Sequence, residues 1–170
     1  MTVALQPNWR PMNGGDLPEV MKIAAVVHPD YPEDLAVFEE RLKLSPEGCV
    51  LLEIEGEPAG YIVSHRWLPG RLPALNSLLG SIPDGASDWY IHDIALLPRA
   101  RGSGAAGRIV AHLVGVARQA GCGRLALVAV NDSTAFWEHQ GFGVVEDAAL
   151  APKLASYDDA ARYMVRQLNS

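Results

Sequence analysis

The run from Asp88 to Ala120, DWYIHDIALLPRARGSGAAGRIVAHLVGVARQA, constrains the fold of this chain more than any other stretch. A β-patterned segment ends at Pro98, and the twelve residues from Arg99 to Val110 then hold three arginines and three glycines. A helical pattern follows over 104–120. Ile109, Leu113, Val116 and Ala120 line one face, with Arg108, His112, Gly115 and Gln119 opposite. A strand feeding a helix through a short glycine-rich turn commits this region to an α/β arrangement.

The same turn has a chemical reading. The first N–H groups of a helix have no partner within it, and the helix dipole places about half a positive charge there. Glycines let those groups close around a phosphate oxygen, and Arg99, Arg101 and Arg108 add charge. The dinucleotide pattern G-x-G-x-x-G is absent, as is the Gly-Lys-Ser/Thr ending of a nucleotide-triphosphate loop. The other reading is a tight strand-to-helix turn with solvated arginines, and on these twelve residues alone both stand.

The rest of the chain alternates in the same manner. A short strand is expected before Arg10. Asp16 then reads as an N-cap, with Pro18 and Glu19 in the first turn and Leu17, Val20, Ala24 and Val27 at helical spacing. HPDYP breaks that helix near His28. A second helix starts near Glu33, with Leu35, Phe38 and Leu42 on one face, and stops before Pro46. CVLLEIEGEPAGYIVSHRW reads as a hairpin, and Trp67 to Ala86 as a long loop of the functional or mobile kind. RLALVAV suits a sheet interior, STAFWEHQ a short helix, and GFGVVED and ARYMVRQL two last strands. The order β-α-α-β-β-β-α-β-α-β-β predicts one mixed α/β domain over residues 1–170.

Composition narrows the partners. The net charge is −6, which argues against general nucleic-acid binding, so an anion site has to be a local cluster. No apolar run reaches the roughly 20 residues of a membrane helix, and the first residues lack the basic start and apolar core of a secretory leader. Cys49 and Cys122 have no metal-ligand spacing, no metal site is expected, and reduced thiols in a cytoplasmic protein are the reading.

The order IHDIALLPRARGSGAAGRIV followed by LVAVNDSTAFWEHQGF resembles the GNAT superfamily of acyl-CoA-dependent N-acetyltransferases. The family's pyrophosphate loop, R/Q-x-x-G-x-G/A, is met by Arg101, Gly104 and Ala106; a second register, Arg99, Gly102 and Gly104, also fits. Asn131, Phe136-Trp137 and Gly141-Phe142 match the later signature. The resemblance implies a mostly antiparallel central sheet flanked by helices, with acetyl-CoA as co-substrate. It implies that the backbone of Arg101, Gly102, Ser103, Gly104, Ala105 and Ala106 holds the pyrophosphate. The strand at Ile94, Ala95 and Leu96 pairs with the pantetheine arm, a splay between that strand and RLALVAV admits the thioester, and Asn131 contacts the arm. Many family members carry a tyrosine where this chain has Trp137, and that tyrosine protonates the leaving thiolate. An indole N–H has no useful acidity, so Trp137 is a wall for the arm or part of the core.

Acyl transfer to an amine needs a base, an oxyanion donor and a route for the thiolate. Tyr90 and His92, two apart on a strand, share a face, with Asp93 on the other. His92 also sits where arylalkylamine N-acetyltransferases, which this stretch resembles, carry a proton-relaying histidine; a histidine ordinarily titrates near ~6.5 and suits that work at neutral pH. The alternative is a structural His–Asp pair. Tyr90 is a candidate acid, or else an aromatic of the core or of the substrate wall. His65 faces the same cleft or ends its strand at the surface. No Cys–His or Ser–His spacing suggests a covalent intermediate, so transfer through a ternary complex is expected. The acidic segment HPDYPEDLAVFEE covers a cationic amine or is simply solvated. The acceptor is expected to be a small-molecule amine or a basic side chain, and the protein a monomer or homodimer. The competing function is a non-catalytic acyl-CoA-binding sensor.

Overall fold

The computed structural model describes residues 6–168. Seven strands form one sheet: β1 (Asn8–Pro11), β2 (Cys49–Ile54), β3 (Glu57–Trp67), β4 (Asp88–Leu96), β5 (Arg124–Ala129), β6 (Gly143–Val144) and β7 (Arg162–Gln167). Their order across the sheet is β1-β2-β3-β4-β5-β7-β6, antiparallel throughout except for the β4–β5 pair. Helices α1 (Leu17–Val27) and α2 (Leu35–Leu44) cover one face, and α3 (Ala105–Gln119) covers the other. The short α4 (Thr134–His139) and α5 (Ala151–Ala155) complete the fold. This is the mixed, mostly antiparallel α/β sheet expected.

Each face closes over its own core. Trp89, Ile91, Ile109, Leu113, Leu125, Leu127 and Met164 pack beneath α3, whereas Leu17, Val20, Ile23, Phe38, Leu51, Tyr61 and Ala95 pack beneath α1 and α2. Burying an aliphatic side chain contributes about 1.5–3 kcal/mol, so these alternating faces hold the sheet between its helices.

Several local expectations are corrected. β1 includes Arg10 rather than ending before it, and the part of that expectation over 1–5 lies outside the described residues. Asp16 precedes α1, but its carboxylate turns back to the Asn13 N–H and to Arg10, at 2.8 Å, instead of capping the helix. α2 begins at Leu35 and not near Glu33; it buries Val37, Phe38 and Arg41, while Leu35 is exposed. A charged side chain has taken an inward position there, which no hydrophobic pattern reveals. On α3 the buried stripe is Ile109, Val110, Leu113, Val114 and Ala117, and Ala120 falls past the helix end in solvent. β6 shrinks to two residues.

Two features of β4 make a site. It pairs with β5 from Asp88↔Arg124 to Ile91↔Leu127; β5 then continues against β7 alone, so β4 and β5 part beyond Ile91. On its other edge β4 stays with β3 to Leu96↔Gly60, but the register jumps from Val63↔Asp93 to Ser64↔Ile91. His92 is the residue left over, a β-bulge at the point where the strands separate. Bulges of this kind re-aim side chains.

Candidate active site

The bulge overturns the expectation that His92 and Asp93 point to opposite faces. Both turn toward the α1–α2 side, where His92 Nε2 meets Glu33 Oε1 at 2.8 Å and Asp93 Oδ1 meets His28 Nε2 at 2.9 Å. Strand alternation fails here because the extra residue shifts the pleat by one. The second oxygen of Asp93 accepts the Tyr61 hydroxyl at 2.5 Å, and the second oxygen of Glu33 accepts the Asn76 N–H at 3.1 Å. His28 caps the end of α1 and also reaches the Ile94 carbonyl, at 2.9 Å, on the open side of β4. Burial by itself would lower the His28 imidazole, but the Asp93 carboxylate and the Ile94 carbonyl outweigh it and hold the ring above the usual histidine range.

Two connected hollows meet at this cluster and share His28, His92, Asp93, Val128 and Val130. The wider, 270 Å³, lies in the splay between β4 and β5 and is lined further by Ile94, Arg101, Asn131, Ser133 and Trp137. The narrower, 60 Å³, is lined by Tyr31, Glu33, Pro73, Leu75, Tyr90 and Tyr157. Three loops close over the narrower side. The Tyr31 hydroxyl donates to Asp158 at 2.7 Å, and Tyr157, which is bonded to Tyr90, donates to the Pro73 carbonyl.

The glycine-rich turn reaches the wider hollow through Arg101, while Ser103 borders a separate depression. Gly102 and Gly104 take left-handed φ of 76° and 81°, which a side chain would strain. The first intrahelical bond of α3 runs from Arg108 N–H to Gly104 O, leaving the N–H groups of the first turn for the loop side. Ser103 Oγ receives one of them, from Ala105, at 3.3 Å. Ala105 is buried against the sheet, and its carbonyl accepts the Trp9 indole N–H at 3.0 Å; Ala106 is half-buried. Arg101 and Arg99 part company. Arg101 lines the hollow between β4 and β5, whereas Arg99 donates to the Pro58 carbonyl and borders a separate depression with Pro7, Ile54 and Glu57.

The remaining expected residues fall as follows. Asn131, at φ 55°, and buried Trp137 line the wider hollow. Ala95 turns its side chain into the α1–α2 core and its carbonyl toward Gly60 of β3, so it does not face the opening; Leu96 packs near Ala100, and its carbonyl accepts from Arg101 Nε at 3.3 Å. Tyr90 lines the narrower side with its hydroxyl engaged by Tyr157, and burial raises it well above the ordinary phenol. His65 is fully buried rather than at the surface; burial lowers it to about 3, and its Nδ1 meets the Arg66 carbonyl at 2.9 Å. No sequence pattern singles out His28, Tyr31 or Tyr157 as site residues, and Glu33 stands out only as a helix start and as part of an acidic segment. His28 is 65 residues from Asp93 in the chain, and no spacing rule joins them.

The profile of the acetyltransferase (GNAT) family matches residues 16–142. The chain belongs to the GNAT family. As a GNAT member it is an acyltransferase. Solved GNAT structures share its fold at low identity. Ard1 from Thermoplasma volcanium aligns at TM-score 0.74 and 16% identity over 96% of this chain and 99% of that one. The GNAT-like decarboxylase GphF, in complex with isobutyryl-CoA, aligns at TM-score 0.78 and 17% identity over 95% and 100%. N-acetylglutamate synthase from Neisseria gonorrhoeae, complexed with coenzyme A and N-acetylglutamate, aligns at TM-score 0.67 and 20% identity over 96% of this chain but 35% of that longer one. No curated protein sequence matches. Among the described residues no helix is long and apolar enough to cross a membrane.

Proposed function

We propose that this GNAT acyltransferase moves an acetyl group from acetyl-CoA directly to a primary amine, with both substrates bound together. The observation that carries the reading is the His92–Glu33 pair at the junction of the two hollows. The turn from Arg101 to Ala106 suits a pyrophosphate: left-handed glycines, first-turn N–H groups and one arginine inside the cleft are the donor set such a group needs. Asn131 and Trp137 flank the arm, which would run along the edge of β4 that β5 leaves beyond Ile91, past Ile94 and Leu96. The bound thioester supplies the electrophilic carbonyl.

His92, held by Glu33, takes the amine proton, either directly or through one water. Tyr90 and Tyr157 shape the acceptor side. The narrowness of that side supports a small-molecule amine or a slim basic side chain. Direct transfer is supported by the state of the thiols: burial pushes Cys49 up to about 12 and raises Cys122, so neither offers a ready nucleophile. Free buried thiols also fit a cytoplasmic setting.

A melting curve tests the coenzyme half of this reading. Ligand at a hundredfold excess over its dissociation constant stabilises the native state by ~2.7 kcal/mol, or roughly 5–10 °C for a chain of this size. No rise with saturating acetyl-CoA would overturn it.

A further inference from the structure

The side-chain donors around the narrower hollow are all spent on the protein itself, while two carboxylates face it. We propose that this hollow admits primary alkylammonium acceptors and rejects amines that carry a carboxylate beside the amino group, free α-amino acids above all. The proposal rests on the transferase reading above and names the acceptor class within it.

The donors can be followed one by one. Tyr31 O–H goes to Asp158 at 2.7 Å. Tyr90 O–H goes to Tyr157, whose own O–H goes to the Pro73 carbonyl. A carboxylate only accepts, so His92 gives its Nε2 proton to Glu33 and keeps the lone pair on Nδ1. His28 spends Nε2 on Asp93 and the Ile94 carbonyl, and its Nδ1 is sealed from the hollow. None of the described residues lining the hollow is a lysine or an arginine. Arg41 feels the charge of Glu33 from α2, but it has no exposed surface and its Nη1 is tied to Glu40 and the Ser77 carbonyl.

The carboxylates are fixed. Glu33 is held by His92 and the Asn76 N–H, and Asp93 by His28 and Tyr61. A charged His28 offsets Asp93, but Glu33 stays unbalanced while His92 is neutral, the form that takes the amine proton. A carboxylate brought in on the acceptor would lose its water, meet like charge and find no side-chain hydrogen bond in return. An alkylammonium meets the reverse. Glu33 attracts it, tyrosine rings attract cations, and Leu75, Val128 and Val130 receive an apolar stem.

The test sets each amine against its carboxylate-bearing twin: 3-methylbutylamine against leucine, 2-methylpropylamine against valine, 2-phenylethylamine against phenylalanine. Leucinamide serves as a neutral twin with the bulk of leucine. Thiol release from acetyl-CoA gives kcat/KM for each, and calorimetry gives its affinity for the full chain loaded with coenzyme A. Each amine should exceed its amino acid by about a hundredfold or more in kcat/KM, with leucinamide on the amine side of the divide. Glu33→Gln should lower all the rates yet narrow the ratio between twins. Amino acids used as well as the amines would overturn the proposal and leave the transferase reading standing. So would rejection of leucinamide as strong as that of leucine, which would make bulk the cause, or an unchanged ratio in Glu33→Gln with coenzyme affinity intact. If no compound is acetylated, the transferase reading ends and the affinities decide alone: amines that bind where their twins do not sustain the selectivity, and any other pattern overturns it.

Discussion

His92 Nε2 lies 2.8 Å from Glu33 Oε1, and only 6% and 7% of the two side chains reach solvent. A carboxylate this buried is held in place by its other bond, to the Asn76 N–H of the long loop. The pair therefore joins three segments: the bulge of β4, the residues before α2, and the loop after β3. His92→Gln keeps a hydrogen-bonding side chain but no base, and kcat should fall by ~10²–10⁴, with the acidic limb of the pH–rate profile erased. Glu33→Gln should give an intermediate loss, since the contact survives and the charge does not. Steady-state rates across pH decide both, and a His92→Gln enzyme at full rate would remove the base.

The two arginines of the turn should separate in a binding assay. Arg101→Ala loses a charged hydrogen bond to phosphate, worth ~1.5–3 kcal/mol, or roughly ten- to a hundredfold in the dissociation constant of coenzyme A. Arg99→Ala should change it by less than about threefold, because Arg99 is bonded to Pro58 outside the cleft. The opposite ranking would transfer the pyrophosphate contact to the other register.

Gly104→Ala tests the turn itself. The alanine must hold φ near 81°, with its Cβ 3.2 Å from Arg108 Nη1. A loss of about 1–2 kcal/mol of stability is expected, together with weaker coenzyme binding. Calorimetric titration and melting read the two effects on one sample.

Tyr157→Phe removes the hydroxyl that joins Tyr90 to the Pro73 carbonyl. The acceptor side should loosen, raising KM for the amine several-fold while coenzyme affinity stays constant. A change in coenzyme affinity instead would place Tyr157 on the other side of the site.

His65 sets a stability trend with pH. Its folded-state value is lowered to about 3 from 6.5 because burial disfavours the charged ring. The unfolded chain thus binds a proton that the folded chain refuses, and this contribution is fully present above 6.5 and lost as pH falls from there toward 3. Within that window the slope approaches ~1.4 kcal/mol per pH unit from this group. His65→Asn should flatten the melting-temperature profile over the same range, and an unchanged profile would contradict the burial argument.

Much of this was legible because it was local. The strand, turn and helix between Asp88 and Gln119, and the hairpin from Cys49 to Trp67, follow from neighbouring residues alone. What stayed hidden depended on tertiary choices. The bulge at His92 reflects a register jump against β3, so simple alternation put Asp93 on the wrong face. The inward Arg41 gave α2 a different buried stripe from the one its leucines suggested, and its Nη1 ties to Glu40 and the Ser77 carbonyl at 3.1 Å. α5, five residues long, is too short to show a period. His28 and Tyr157 belong to segments 129 residues apart that meet only because the sheet brings its two flanks together.

The central claim is amine acetylation at the His92–Glu33 junction. Its most direct measurement is the initial rate of thiol release from acetyl-CoA across a panel of primary amines, with the acetylated product identified by mass, in wild type and His92→Gln. The account predicts amine-dependent release in wild type, matched mole for mole by acetylated product, and a near-complete loss in the variant. A wild type that binds acetyl-CoA tightly yet releases thiol with none of the amines would contradict it and mark the domain as a coenzyme-binding module without turnover.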